Sequence, residues 1–206
     1  MKKMILLFAL FTIHINLIAQ NVNLNEIKKN LEKKSSDYNQ EKLLIKFKGL
    51  PIQLDSIEAR HLYYGNKPAV DYKKADELRK NFKEENYQKS IELAEEILKN
   101  APTDLETISI IMEAYYKLQG NSTKLNHYSA QFTKMIDAII SSGDGKTEKT
   151  AFLTNSVTDE YILLAILKKN ASLMKRTSKP SKNGMYDIWD EDGKKIYINV
   201  IYDMRF

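Results

Sequence analysis

The sequence predicts a mainly α protein, α+β at most, built of tetratricopeptide-like antiparallel helix pairs with a C-terminal β-hairpin. Three observations predict it. Glycine (7) and proline (4) are scarce in the 206 residues, while lysine, glutamate, leucine and isoleucine are plentiful, a balance that favours helix. Between Tyr72 and Ser141 apolar residues recur at helical spacing between capping signals, and that pattern repeats. Near the end, residues alternate or run β-branched on both sides of Asp190-Glu191-Asp192-Gly193, a turn sequence.

The chain opens with Lys2, Lys3 and an apolar stretch from Met4 to Ile18. Small Ala19 follows, which completes the parts of a secretory signal cleaved after Ala19. The stretch is shorter than the roughly 20 residues a bilayer span requires, and His14 and Asn16 interrupt it. The expectation is a secreted or periplasmic protein with no membrane span after cleavage. Cysteine is absent, so neither disulfides nor a cysteine-linked lipid is available, and burial must hold the fold. Hydrophobic residues make up 43%, enough for a core and too many for a disordered chain. Without Lys2 and Lys3 the 32 basic residues become 30 against 27 acidic ones, a net charge of +3. That is too mild to imply a nucleic-acid partner.

After a leader over 1–19, residues 20–206 read as one domain. Asn25 suits a helix cap, with Ile27 and Leu31 on one face and an end near Lys34. A short helix over Asn39–Phe47 stops at Gly49 and Pro51. Asp55 and Glu58 form a capping pair for a helix carrying Ile57 and Leu62, which Gly65 ends, and Gly65–Val70 reads as a loop. Four helices then fit 73–85, 87–99, 104–118 and 122–141. The second has two apolar stripes, Ile91-Ala94-Leu98 and Leu93-Ile97, so it lies between neighbours on both sides. Thr103 with Glu106 gives the third a capping box, and Gly120 closes it. A shift of 34 residues pairs Leu78 with Met112, Phe82 with Tyr116, Ile91 with Leu125 and Leu98 with Phe132, the period of the tetratricopeptide repeat. Asn86 replaces the usual glycine and Ile136 falls where the first copy has Pro102, so 72–141 is a tetratricopeptide-like layer rather than a long solenoid.

Residues 142–155 form a polar, glycine-containing loop. The 156–182 segment holds a buried helix, apolar almost all round from Tyr161 to Leu167, and then a basic connector. Met185–Trp189 and Lys195–Tyr202 are the strands of the hairpin in 183–206, which must pack on helices or pair with other strands because a lone hairpin is marginal.

Several chemistries are excluded. Gly145-Lys146-Thr147 resembles the end of a phosphate-binding loop, but Ile140 stands where that loop needs glycine. Asp190 and Asp192-Gly193 resemble a calcium loop whose anchoring positions would be Ile188 and Asn199. His61 and His127 have no ligand partners at metal spacing, so no metal and no cofactor is implied. Asp159 and Glu160 are about 100° apart on a helix, which suits first-turn acids favoured by the dipole rather than a facing catalytic pair. Between Lys168 and Lys182 six basic residues and no acid make either a solvated connector or a patch for anionic polysaccharide or lipid head groups. In Tyr63-Tyr64 and Tyr115-Tyr116, one member of each pair belongs in the core and the other is free to line a groove, as adjacent helical residues split between faces.

Leu62-Tyr63-Tyr64-Gly65, Ser142-Gly143-Asp144-Gly145-Lys146, Asp159-Glu160-Tyr161 and Ile196-Tyr197-Ile198-Asn199-Val200 together resemble a domain of unknown function found in secreted bacterial proteins of about this size. That pattern has Glu-Glu-Tyr at Asp159-Glu160-Tyr161 and an aromatic-acid pair at Ile198-Asn199. The resemblance implies a tetratricopeptide-like fold and brings no catalytic residue. The leading expectation is a non-catalytic module for a protein or peptide of the cell envelope, with Tyr63, Tyr64, Tyr115, Tyr116, Asp144, Asp159, Glu160 and Trp189 as candidate interaction or pocket residues. The competing one is an envelope hydrolase or carbohydrate-active enzyme in which Asp144, Asp159 and Glu160 converge in one pocket.

Overall fold

A computed structural model describes residues 22–65, 69–120 and 122–201. The expected leader over 1–19, residues 66–68 of the expected loop and Tyr202 lie outside these residues. Eight α-helices and four strands occur among them, so the chain is mainly α with a small C-terminal sheet. No described helix is long and apolar enough to cross a membrane.

Local chemistry sets the ends of the helices. Helix α1 (Leu24–Glu32) begins earlier than Asn25 allows, because the Asn23 side chain accepts from the Glu26 amide at 3.2 Å and so satisfies a free donor of the first turn. Asn39 caps α2 (Gln40–Gly49) through the Glu41 amide, and Pro51 opens a single 3₁₀ turn after it. The capping pair expected before α3 (Ser56–Gly65) is present. Asp55 Oδ1 accepts from the amides of Ile57 and Glu58, and Glu58 Oε2 accepts from the Asp55 amide, each at 2.8 Å.

Helices α4 (Tyr72–Lys83), α5 (Tyr87–Asn100), α6 (Leu105–Gln119) and α7 (Thr123–Ile140) fall within two residues of the expected ends. The cap of α6 differs. It is Asp104, whose Oδ2 accepts from the Thr107 amide at 3.0 Å; Thr103 is buried in the turn before it. Aspartate outcompetes the neighbouring threonine because its charge also meets the positive end of the helix dipole. Asp104→Ala is expected to lower stability by ~1 kcal/mol, read from the midpoint of urea denaturation.

Two apolar clusters result. Helices α4, α5 and α6 enclose one, with Tyr128 of α7. Helices α1, α2, α3 and α7 enclose the other with the C-terminal elements, and Leu98 and Met112 pack against both. Residues from both expected stripes of α5 are buried, namely Ile91, Ala94, Leu93 and Ile97.

The expected hairpin is the inner part of a larger sheet. Strand β1 (Phe152–Thr154) lies inside what reads as loop, and β2 (Lys175–Ser181) lies inside the supposed basic connector. With β3 (Gly184–Glu191) and β4 (Lys194–Ile201) they form the order β1-β4-β3-β2, β1 being parallel to β4 and the other pairs antiparallel. The turn between β3 and β4 places Asp192 and Gly193 at φ 52° and 85°, the primed-turn geometry that an Asp-Gly pair supplies. The connector is a strand because alternate residues are used. Arg176 and Ser178 hold buried Asp187, while Lys175 and Lys179 face solvent on the other side.

Helix α8 (Val157–Ile166) packs its Leu163 and Leu164 into the core, but Tyr161 and Ile166 are exposed, so burial is not all round. The glycine-containing loop before it is a built structure. A Cβ on Gly143 would come within 2.4 Å of the carbonyl oxygens of Thr150 and Ala151. The amides of Asp144 and Gly145 both donate to Thr150 O, at 2.9 and 2.8 Å, so they do not converge on a phosphate. The Gly145 carbonyl accepts from the Tyr197 amide at 2.8 Å, which fastens the loop to β4.

Candidate functional site

A cleft of about 220 Å³ opens where the start of α4, the start of α6 and the start of α8 meet over Tyr63 of α3. Its floor is a polar lock. The Tyr63 hydroxyl donates to Asp159 Oδ2 at 2.6 Å and accepts from the Asn155 amide at 3.0 Å. Asn155 Nδ2 donates to the Tyr63 carbonyl at 2.5 Å, while its shielded Oδ1 has no partner. Ser156 caps α8 by accepting from the Asp159 amide. Burial pushes the Asp159 carboxyl up to about 6, its bonds from Tyr63 and Ser156 oppose that, and the nearby carboxylates of Asp104 and Glu106 add to it. Burial also raises the Tyr63 phenol well above its ordinary value.

The walls are mixed. Val70, Ala75 and Leu105 supply apolar surface, and Arg79 reaches Glu106 at 2.8 Å and Asp76 at 2.6 Å. Tyr72 stands at the rim, 79% exposed. Three acids and one arginine give the cleft a negative balance.

The other candidate residues are dispersed. Tyr64 is as buried as Tyr63, contrary to the expected split between core and groove; its hydroxyl is shared between the carbonyls of Leu153 and Ala138 at 3.0 and 3.2 Å. Both rings are enclosed because α3 has α1, α2 and α7 around it, and a ring packed between layers has no solvent face. Tyr115 and Tyr116 do split: Tyr115 is buried and donates to Glu95 at 3.1 Å, and Tyr116 is 62% exposed. Asp144 sits on the exposed loop, pairs with Lys146 at 3.3 Å, and is held below the usual carboxylate range by its bonds from Thr150 and Lys146. It is not part of the cleft that Asp159 lines, so the three acids do not converge.

Glu160 points away from Asp159 as the helical angle requires, yet it is not a solvated first-turn acid. It is fully buried, with Trp189 Nε1 donating to Oε1 at 2.5 Å and Arg176 at 3.3 Å from Oε2. Arg79, Asp104, Glu106, Asn155, Arg176 and Asp187 escape a reading of sequence alone. For Asp187 a signal exists: the period of two places it on the same face as Trp189, so a strand burying the tryptophan buries the acid too.

Among the described residues no group of three or more His, Cys, Asp or Glu side chains is arranged to hold a metal ion. A family model described as "Domain of unknown function (DUF4919)" matches residues 25–204. The chain belongs to that family. Every segment that carries the earlier resemblance lies inside the matched region of this DUF4919 domain. No curated protein and no solved structure matches it.

Proposed function

We propose that this DUF4919 protein is a non-catalytic, exported helical module that binds a protein or peptide partner in the cleft between α4, α6 and α8. The observation that carries the reading is the cleft itself, an acidic and apolar recess at the junction of the helical layer over 72–141 with the C-terminal unit. Tetratricopeptide-like layers present such recesses to extended segments. The leader over 1–19 supports export. The charge balance selects a ligand with a basic side chain that competes with Arg79 for Glu106, meets Asp104 and is covered by the exposed Tyr72 ring.

A hydrolase has less to draw on, because its three carboxylates occupy separate surroundings and Asp159 is tied to Tyr63. Binding of anionic polysaccharide or lipid by Lys168–Lys182 is weakened in the same way. Lys169, Arg176 and Lys179 pair with Glu191, with Glu160 and Asp187, and with Glu148 respectively.

The test is a fluorescence-anisotropy screen of short peptides that differ only in carrying lysine or a neutral residue. Lysine peptides are expected to bind tighter, and Tyr72→Ala with Glu106→Gln to weaken them about tenfold, ~1.4 kcal/mol. Equal affinity for both peptide sets, or no change in the double variant, would remove the reading.

A further inference from the structure

We propose that Glu160, Asp187 and Arg176 form a proton-operated clasp between α8 and the sheet, closed while the two carboxyls share one proton and slackened when that proton leaves. Both carboxyl side chains have no solvent exposure. A single guanidinium serves them: Arg176 Nη2 lies 2.6 Å from Asp187 Oδ2 and 3.3 Å from Glu160 Oε2. One positive charge balances one carboxylate. A second carboxylate in the same enclosure leaves an uncompensated buried charge, which costs several kcal/mol unless the group takes up a proton.

The neutral donors are already committed. Trp189 Nε1 donates to Glu160, and Ser178 Oγ donates to Asp187. Arg176 Nε is buried without a partner, so one nitrogen, Nη2, is divided between the two acids and neither is gripped by a two-nitrogen fork.

The charged surroundings are few. From β2 come Arg176 and Ser178, from β3 Asp187 and Trp189, and from α8 itself Tyr161, whose ring meets Trp189 edge-on at 5.5 Å. Strand β4 sets Ile198 and Ile196 beside Asp187 and Trp189, and β1 contributes Phe152; none of these ionises. Asp159 is the adjacent acid on the helix, and it answers to Asp104 and Glu106 of α6 on the side of the cleft. Lys169 and Glu191 pair with each other at 2.5 Å.

Burial first and Asp187 next push Glu160 up, against its bond from Trp189 and the Arg176 charge, to about 7. The proton leaves for solvent past the partly exposed Arg176. Because the clasp is on a different side of α8 from the cleft, it operates with or without a ligand.

Trp189 is the only tryptophan, so its emission reports the clasp directly. In the full chain, emission is expected to change in one step near neutral pH between about pH 5 and about pH 9. Amides of α8 are expected to exchange roughly tenfold faster at the alkaline end after correction for intrinsic exchange. Glu160→Gln keeps the acceptor for Trp189 but cannot titrate; its emission is expected to stay flat and α8 to lose most of the alkaline rise in exchange. A wild-type protein without the step, or a Glu160→Gln protein that retains it, overturns the clasp. Should that variant not fold, infrared spectra of the wild type decide: a buried protonated-carboxyl band present in acid and lost across the step supports it, and no such band in acid refutes it.

Discussion

Arg176→Ala is expected to destabilise the protein by about 3 kcal/mol at pH 8 and by clearly less at pH 5. The substitution leaves Glu160 and Asp187 buried with no positive charge beside them. At the higher pH both must either ionise in an apolar enclosure or hold protons against the solvent, and each choice is costly. At the lower pH Glu160 is neutral and the missing charge matters less. The figure sits at the lower end for a broken buried pair because the Arg176 side chain keeps 30% exposure. The wild type follows the same sign. Glu160 and Asp159 are both raised in the folded protein, to about 7 and about 6, so the stability they confer is complete below the ordinary carboxylate value and is lost as pH rises through those points. Urea denaturation at the two pH values checks both statements; an Arg176→Ala loss independent of pH would show that the guanidinium acts through packing alone.

Tyr63→Ala carries the other large effect, about 3–5 kcal/mol. The ring is 2% exposed and meets Tyr64 edge-on at 4.8 Å, so its removal opens a cavity among α3, β1 and α8. Tyr63→Phe separates packing from polarity. It retains the ring and removes the hydroxyl that donates to Asp159 and accepts from the Asn155 amide, for a loss of about 1–3 kcal/mol. Because that hydroxyl favours the ionised acid, the Phe variant's deficit is expected to shrink on acidification. Thermal denaturation of the two variants at two pH values measures this, and a deficit that grows in acid would contradict the Asp159 contact.

The helices were legible because their signals are local. Apolar spacing, the Asp55–Glu58 box and Gly120 each act within one or two turns, and the structure places the helices accordingly. The sheet was legible only where strands adjoin a turn. Strand β1 has three residues and finds its partner more than forty positions on, at Ile198–Val200, so nothing near it in sequence announces it. Strand β2 was obscured by its lysines, which mark a solvent-facing edge as readily as a connector. The site was hidden for a related reason. Whether a carboxylate is solvated or enclosed depends on what packs above it, and Arg176 and Trp189 reach Glu160 of α8 from β2 and β3. The expected split of Tyr63 and Tyr64 fails on the same ground, since both faces of α3 are covered.

The parallel seam between β1 and β4 has a consequence for how the chain is completed. A segment laid down at 152–154 must wait, with Phe152 unsheltered, until 198–200 has emerged. Helical pairs need only their neighbours and form early, whereas this closure spans a wide stretch of chain and comes late. A nascent or threaded polypeptide therefore remains an open vessel until β4 arrives, and a chain cut before Ile198 would lack Ile198, Val200 and Ile201 from the wall.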